Sequence, residues 1–232
     1  MKKTDRRTFI NRSLAGGAGV LLSQSVLANQ ATPHEMEGPF YPLTPQADQD
    51  FDLTQVKGKE GVALGDHVIL SGRVIDGNGQ PIEGATVDIW QANAAGRYHH
   101  PHDQNPAPVD PNFQSWAIVQ SGAEGAFRFK TVVPGAYPVT PEWSRPPHIH
   151  FKVSKAGYHE VVTQMYFPEQ PLNEADKLLQ GKSVEEQKMM VARVEEGQPD
   201  HLIYDIVMLA VWKVGRPPFL GERLEFEQFI PT

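Results

Sequence analysis

The sequence predicts an all-β protein, a β-sandwich with long irregular loops and one or two short helices. Apolar residues recur at every second position in short runs, the period of a strand with one buried face. Clusters of Gly, Pro, Asn and Asp punctuate those runs. The chain has 232 residues with 20 Gly and 20 Pro, which suits one sandwich with a sizeable core better than a helical bundle.

Residues 1–28 stand apart from this pattern. They combine a basic start, a moderately apolar middle rich in Gly and Ala, and SVLA at 25–28. Arg6-Arg7 followed by Thr8-Phe9-Ile10 resembles a twin-arginine export signal, with cleavage expected after Ala28. The apolar stretch is too short and too broken by glycine to span a bilayer. The mature protein is therefore expected in the periplasm or outside the cell. That route carries folded proteins, which hints at a cofactor loaded before export.

Residues 29–62 are Pro-rich, contain EGPFYP at 37–42, and read as an extended arm; residues 63–232 read as a single sandwich domain. Val68, Leu70 and Val74 mark a first strand, and DGNG at 76–79 is a strong turn cluster. Ala85, Val87 and Ile89 share one face of the next strand. Residues 93–114 (NAAGRYHHPHDQNPAPVDPNFQ) form a polar loop of a length common at functional sites. Strand-like runs follow at 115–120, 126–133, 148–153 and 161–167, while 172–180 and 184–194 look helical. The run HLIYDIVMLAVWK at 201–213 is rich in β-branched residues and suits a buried strand. There is no repeat and no domain boundary after residue 32.

Composition narrows the chemistry. With no cysteine, disulfides, thiolate zinc sites, iron–sulfur clusters and a cysteine nucleophile are excluded. A formal charge of −7 argues against a nucleic-acid binder, which needs a basic stripe. Removing residues 1–28, which carry five basic side chains and one acidic one, makes the chain more acidic still. No later stretch is long and apolar enough to cross a membrane.

The stretch RPPHIHF at 145–151 raises the possibility of a metal. On a strand His148 and His150 project to one face, where a single ion could take both, while Ile149 and Phe151 point the other way. Two partly exposed strand histidines would give the same pattern. The next acid is Glu160, so the glutamate that follows HxH in cupin-type barrels is missing; a two-histidine, one-carboxylate ferrous site stays open. Tyr98 in AAGRYHH and Tyr137 in VPGAYPV lie in Gly/Pro-punctuated loops at strand ends, as ligands or as packing residues.

Taken together and in order, EGPFY, SGRV and GQPIEGATVDIWQAN, GRYHHPHDQNPAPVDPNF, FRFKTVVPGAYPV, RPPHIHFKV and TQMYFP resemble the intradiol ring-cleavage dioxygenases, most of all the protocatechuate 3,4-dioxygenase branch. The resemblance covers residues 35–230. It implies one non-haem Fe(III) per chain, held by Tyr98, Tyr137, His148 and His150 with a hydroxide as fifth ligand. It implies O2-dependent cleavage of a 1,2-dihydroxybenzene between its hydroxyls to a cis,cis-muconate, in aromatic catabolism. Tyr137 is then the ligand that leaves and accepts a substrate proton, Arg145 stabilises negative charge developing on the ring, and Gln164 sits near the hydroxide and the oxygen pocket. Phenolate is a hard, anionic donor that favours ferric over ferrous iron; a free tyrosine holds its proton to about pH 10, so the metal must drive its loss.

The same resemblance assigns one ligand to the Tyr98 loop, leaving His99, His100 and His102 outside the metal set; Pro101 also denies them a common face. Trp90, Trp116, Trp143 and Trp212 are expected to fill the core or line the cleft. Too few residues precede Asp66 for the helical dimerisation region of catechol and hydroxyquinol enzymes. The protocatechuate branch pairs two subunit types, so a homo- or hetero-oligomer is expected. Val139 stands where that branch carries a bulky aromatic, and the segment from Tyr137 to His148 is short, which leaves the ring substituent open. Two other readings use parts of the same sequence: a transthyretin-like binding module, suggested by GRVIDGNGQPIEGATV, and a ferrous or copper oxygenase built on the histidines.

Overall fold

The computed structural model describes residues 30–44 and 49–211. Its strands begin with β1 (His67–Asp76), β2 (Thr86–Trp90), β3 (Trp116–Gln120), β4 (Ala126–Val132), β5 (Tyr137–Thr140) and β6 (Trp143–Arg145). They continue with β7 (His148–Ser154), β8 (Val161–Tyr166), β9 (Arg193–Glu195), β10 (Gln198–Ile203) and β11 (Ile206–Met208), and α1 spans Val184–Met190. The all-β expectation is met.

Two sheets enclose the core. One is built around β1, with β4 antiparallel on one side and β10 and β11 parallel on the other; the second has the order β3-β2-β7-β8. Val68, Leu70, Val74, Phe127 and Phe129 of the first meet Val87, Ile89, Ile149, Phe151 and Met165 of the second. Each such side chain contributes about 1.5–3 kcal/mol on burial. This inward set fixes what faces outward. With Ile149 and Phe151 fully buried in the core, the period of two sends His148 and His150 to the opposite face of the second sheet.

The arm runs along the edge of β8 and then over that outer face. Glu35 N–H donates to the Val162 carbonyl at 2.8 Å, Thr163 Oγ1 to the Pro33 carbonyl at 2.7 Å, and Gln164 Nε2 to the Met36 carbonyl at 3.1 Å. Further along, Lys152 pairs with Glu37 at 2.9 Å and the Tyr41 hydroxyl donates to Asp88 at 2.8 Å. The stretch from Pro33 to Tyr41 is thus docked along the sheet.

Three elements differ from expectation. Residues 172–180 hold only a 3-10 turn at Pro171–Ala175, because Asp176 is extended (φ −75°, ψ 115°) and its side chain accepts the Leu178 and Leu179 N–H groups. Helix α1 starts at a Ser183/Glu186 capping box but stops at Met190, since Val191 is extended and bridges to Tyr166; the last residues of the predicted helix open β9. The strand expected at 201–213 is interrupted: β10 and β11 keep one register along β1, and at the break the Asp205 carboxylate accepts the Arg73 N–H at 2.9 Å in place of a backbone carbonyl. The export signal, Trp212 and the end of the sandwich domain lie outside the described residues. No helix among the described residues is long and apolar enough to cross a membrane.

Candidate functional site

Tyr98 and Tyr137 reach the outer face of the second sheet from two loops that touch backbone to backbone. Gly96 has φ +79°, and a Cβ there would lie 2.5 Å from the Ala136 carbonyl oxygen; a Cβ on Gly135 would lie 2.5 Å from Gly96 N. The contact requires both positions to lack a side chain. Asn93 holds the first loop in shape, its Oδ1 accepting Ala95 N–H at 2.9 Å and Arg97 N–H at 3.0 Å. Asp103 accepts Tyr98 N–H at 2.7 Å. Tyr137 opens the hairpin of β5 and β6, in which it sits directly opposite Arg145.

The four residues the sequence singles out come together. The Tyr98 hydroxyl lies 3.1 Å from His150 Nε2 and 3.4 Å from His148 Nε2, and the Tyr98 ring meets the Tyr137 ring edge-on with centroids 5.6 Å apart. His148 Nδ1 donates to the Pro146 carbonyl at 2.7 Å, which leaves Nε2 as a lone pair turned to the tyrosines. Burial holds both imidazoles neutral, aided by the Arg145 charge: His148 falls well below its ordinary value and His150 to about 3. Burial also pushes the Tyr98 phenol well up, with Tyr137 adding to it, and raises Tyr137 against the opposing pull of Arg145. Two imidazole nitrogens and two phenol oxygens in one buried cluster form a hard, oxygen-rich donor set that fits a trivalent cation able to displace the phenol protons. Among the described residues no three histidines or carboxylates gather in a metal-binding arrangement, so the two-histidine, one-carboxylate site is not formed there.

Arg145 is buried beside this cluster. Its Nε donates to Asp176 at 2.7 Å, and Nη2 donates to Gln164 Oε1 at 2.6 Å and to the Tyr166 hydroxyl at 2.9 Å. Burial opposes the charge, yet facing Tyr166, Asp176 and Tyr137 it keeps a pKa above its ordinary value. Gln164, opposite His150 across β7 and β8, has its oxygen bound to Arg145 and its nitrogen bound to the arm. Sequence reasoning missed Tyr166 and Asp176. Tyr166 shares a face of β8 with Gln164, a signal available once the strand is recognised. Asp176 carries no local signal, since it lies in a turn that reads as helix.

A cavity of about 680 Å³ opens against the cluster. Met36 and Phe40 of the arm, Tyr137 and Val139 of β5, and Trp143 and Arg145 of β6 form much of its wall. His102 also lines it, whereas His100 turns to the Phe40 ring at 5.7 Å and to His102 at 5.2 Å, and His99 is exposed. Trp90 and Trp116 pack together with Tyr98 and Tyr41 beneath the arm.

A family model described as "Dioxygenase" matches residues 36–209. The protocatechuate 3,4-dioxygenase beta chain of Burkholderia cepacia is 42% identical over 167 residues, or 68% of this chain and 71% of that one. Catechol 1,2-dioxygenase 2 of Acinetobacter lwoffii is 32% identical over 148 residues, 58% of this chain and 50% of its own, so the chain spans half of that relative's length. Among solved structures, the dioxygenase domain of a dioxygenase–carbohydrate-binding fusion from Streptomyces sp. SirexAA-E aligns with a TM-score of 0.59 at 27% identity, over 78% of this chain and 100% of that one. The fold is shared with 3-chlorocatechol 1,2-dioxygenase of Rhodococcus opacus 1CP, with a TM-score of 0.62 at 23% identity over 79% of this chain and 74% of that one. A transthyretin-like module accounts for GRVIDGNGQPIEGATV alone, whereas these matches run through both tyrosine loops and the HIH strand: the chain belongs to the intradiol ring-cleavage dioxygenases, a family of generally iron-dependent oxidoreductases.

Proposed function

We propose that this protein cleaves a catechol-type aromatic ring between its two hydroxyls with O2, yielding a cis,cis-muconate, and that Tyr98, Tyr137, His148 and His150 hold one Fe(III) per chain. The observation that carries the reading is the meeting of the Tyr98 hydroxyl with both histidine Nε2 atoms, at 3.1 and 3.4 Å, beside a ring-sized cavity. Bound there, the ion supplies Lewis acidity and a template for the diol.

The chain's own residues do the rest. Pro146 fixes the tautomer of His148, so a neutral nitrogen faces the tyrosines. Tyr137 lines the cavity and stands opposite Arg145; it is the phenol placed to leave the donor set and to take a proton from the entering diol on its own oxygen. Arg145, held by Asp176, Gln164 and Tyr166, presents a fixed cation where negative charge builds on the ring. Gln164 acts on the site through Arg145 and the arm. Met36, Phe40, Val139 and Trp143 offer the ring an apolar wall.

Similarity to a protocatechuate 3,4-dioxygenase beta chain supports a protocatechuate-like substrate, with Val139 leaving room at the ring substituent. It also supports an oligomer of like or unlike chains. The twin-arginine pattern supports export to the periplasm or beyond, which detection of a protein shortened to residue 29 onward in the exported fraction tests.

The decisive experiment combines metal analysis, the visible spectrum, and oxygen uptake against catechol, protocatechuate and hydroxyquinol with product identification. The expected protein is red-brown through phenolate-to-iron charge transfer, with about one iron per chain, and consumes one O2 per ring opened. A colourless, iron-free protein without uptake overturns the proposal.

A further inference from the structure

The two histidines are held by different means. His148 has the hydrogen bond from Nδ1 to a carbonyl that orients a metal-ligating imidazole. His150 Nδ1 is buried and has no such partner among the described residues, so its one ring hydrogen bond is the contact of Nε2, the ligating atom, with Tyr98, and nothing behind that atom is held by hydrogen bonding.

Packing holds the ring instead. Trp90 is the cross-strand neighbour of His150, and the two rings lie flat on each other with centroids 4.9 Å apart and planes 10° from parallel. The arm runs past Cε1 and Nε2 of the ring. Gly38 has φ +75°, and a Cβ there would stand 3.3 Å from His150 Cε1 and 3.9 Å from Nε2. The arm also secures the tryptophan: Tyr41 meets Trp90 edge-on at 4.8 Å and 88°. The Tyr41 hydroxyl in turn is anchored on Asp88, whose other oxygen accepts Trp116 Nε1 at 2.6 Å. Asp88 is itself buried, so this anchor is a committed one.

We infer that Trp90 and the arm residues Gly38 and Tyr41 form a clamp that fixes the ring plane of His150, doing by contact what Pro146 does for His148 by hydrogen bonding. Trp90 and Tyr41 are positioning residues, and the arm is part of the metal site. The inference rests on the ligand set proposed above. Its physical basis is steric: a ring stacked on an indole and bounded by backbone cannot rotate without displacing both, whereas one hydrogen bond fewer leaves the nitrogen itself unchanged.

The test follows iron release to a strong chelator in the dark and without substrate, together with the visible band and thermal unfolding. Trp90→Leu removes the flat face, Trp90→Phe keeps one, and Gly38→Ala pushes on the ring at Cε1 and Nε2. Val87→Ala, on the core face of the same strand, controls for lost stability. Trp90→Leu and Gly38→Ala are expected to release iron about tenfold faster, the scale of a lost outer-sphere support. Trp90→Phe and Val87→Ala are expected to stay close to the wild-type rate. Unchanged release in both Trp90→Leu and Gly38→Ala overturns the clamp, as does equal acceleration in Trp90→Leu, Trp90→Phe and Val87→Ala, which would report stability alone. If Trp90→Leu does not fold, Gly38→Ala and Tyr41→Phe decide by the same readout. A wild-type protein that takes up no iron overturns the ligand set itself and the clamp with it.

Discussion

Asp176 Oδ2 accepts Arg145 Nε at 2.7 Å, and both side chains are almost wholly withdrawn from solvent. The same carboxylate, through its other oxygen, takes the N–H groups of Leu178 and Leu179. One acid therefore ends a would-be helix and holds the cation of the site. A buried pair of this kind is weak support for stability, because desolvation offsets most of the attraction. Its effect is to keep an arginine charged and aimed at the cavity.

Breaking the pair from the acidic side leaves that charge buried and unpaired. Asp176→Ala is expected to lower stability by about 3–5 kcal/mol, measured as a shift in the denaturant midpoint at unchanged slope. A loss under about 1 kcal/mol, the surface ion-pair range, would mean that the arginine is solvated after all. Arg145→Ala should retain iron and slow turnover; loss of the metal instead would make Arg145 a structural residue.

Tyr98 is central to the donor cluster, in contact with both histidines and Tyr137. Tyr98→Phe should bleach or shift the visible band and cut turnover. His99→Ala and His102→Ala should leave the band in place, since neither side chain joins the cluster. A band abolished by His102→Ala would put that loop in the metal site.

The close approach of Gly96 to Ala136 joins the two tyrosine loops. Gly96→Ala places a methyl group against a carbonyl at a left-handed φ. The expected cost is about 1–3 kcal/mol of backbone strain with reduced iron content, read by thermal unfolding and metal analysis. Normal iron content at lowered stability would show that the tyrosines keep their places without this contact.

Asp52 anchors the strand-flanking segment by accepting Thr54 N–H and Oγ1 and pairing with Lys130 at 3.2 Å. Burial opposes its charge, but the bonds from Thr54 and Lys130 bring its pKa below the ordinary value. A depressed carboxylate stabilises the fold above its unfolded pKa and loses that contribution as pH falls through the folded one. Asp52→Asn should therefore cost up to about 1 kcal/mol at neutral pH, and the gap from wild type should close at pH values below the ordinary aspartate value of about 3.9. An equal gap at both pH values would remove the charge from the explanation.

Much of this was legible residue by residue. Alternation alone predicts that Ile149 and Phe151 enter the core and that His148 and His150 share the other face, because side-chain direction along a strand is a local property. Gly/Pro punctuation marked Tyr98 and Tyr137 as loop residues, and the ordered motifs named the family. Local rules failed at Asp176, at the β5–β6 hairpin that sets Tyr137 opposite Arg145, and at Asp205, where a side chain replaces a strand carbonyl. Each of these depends on a partner far along the chain.

By itself, then, the sequence determined which residue types are available and which face of each strand they occupy, since covalent geometry settles both within a few residues. Only the tertiary structure decided that Trp116, Trp90, His150 and Gln164 stand in one row across four strands, and that the arm closes over them. Register and docking are free-energy minima of the whole chain, set by the simultaneous burial of two sheets, and no short stretch contains them.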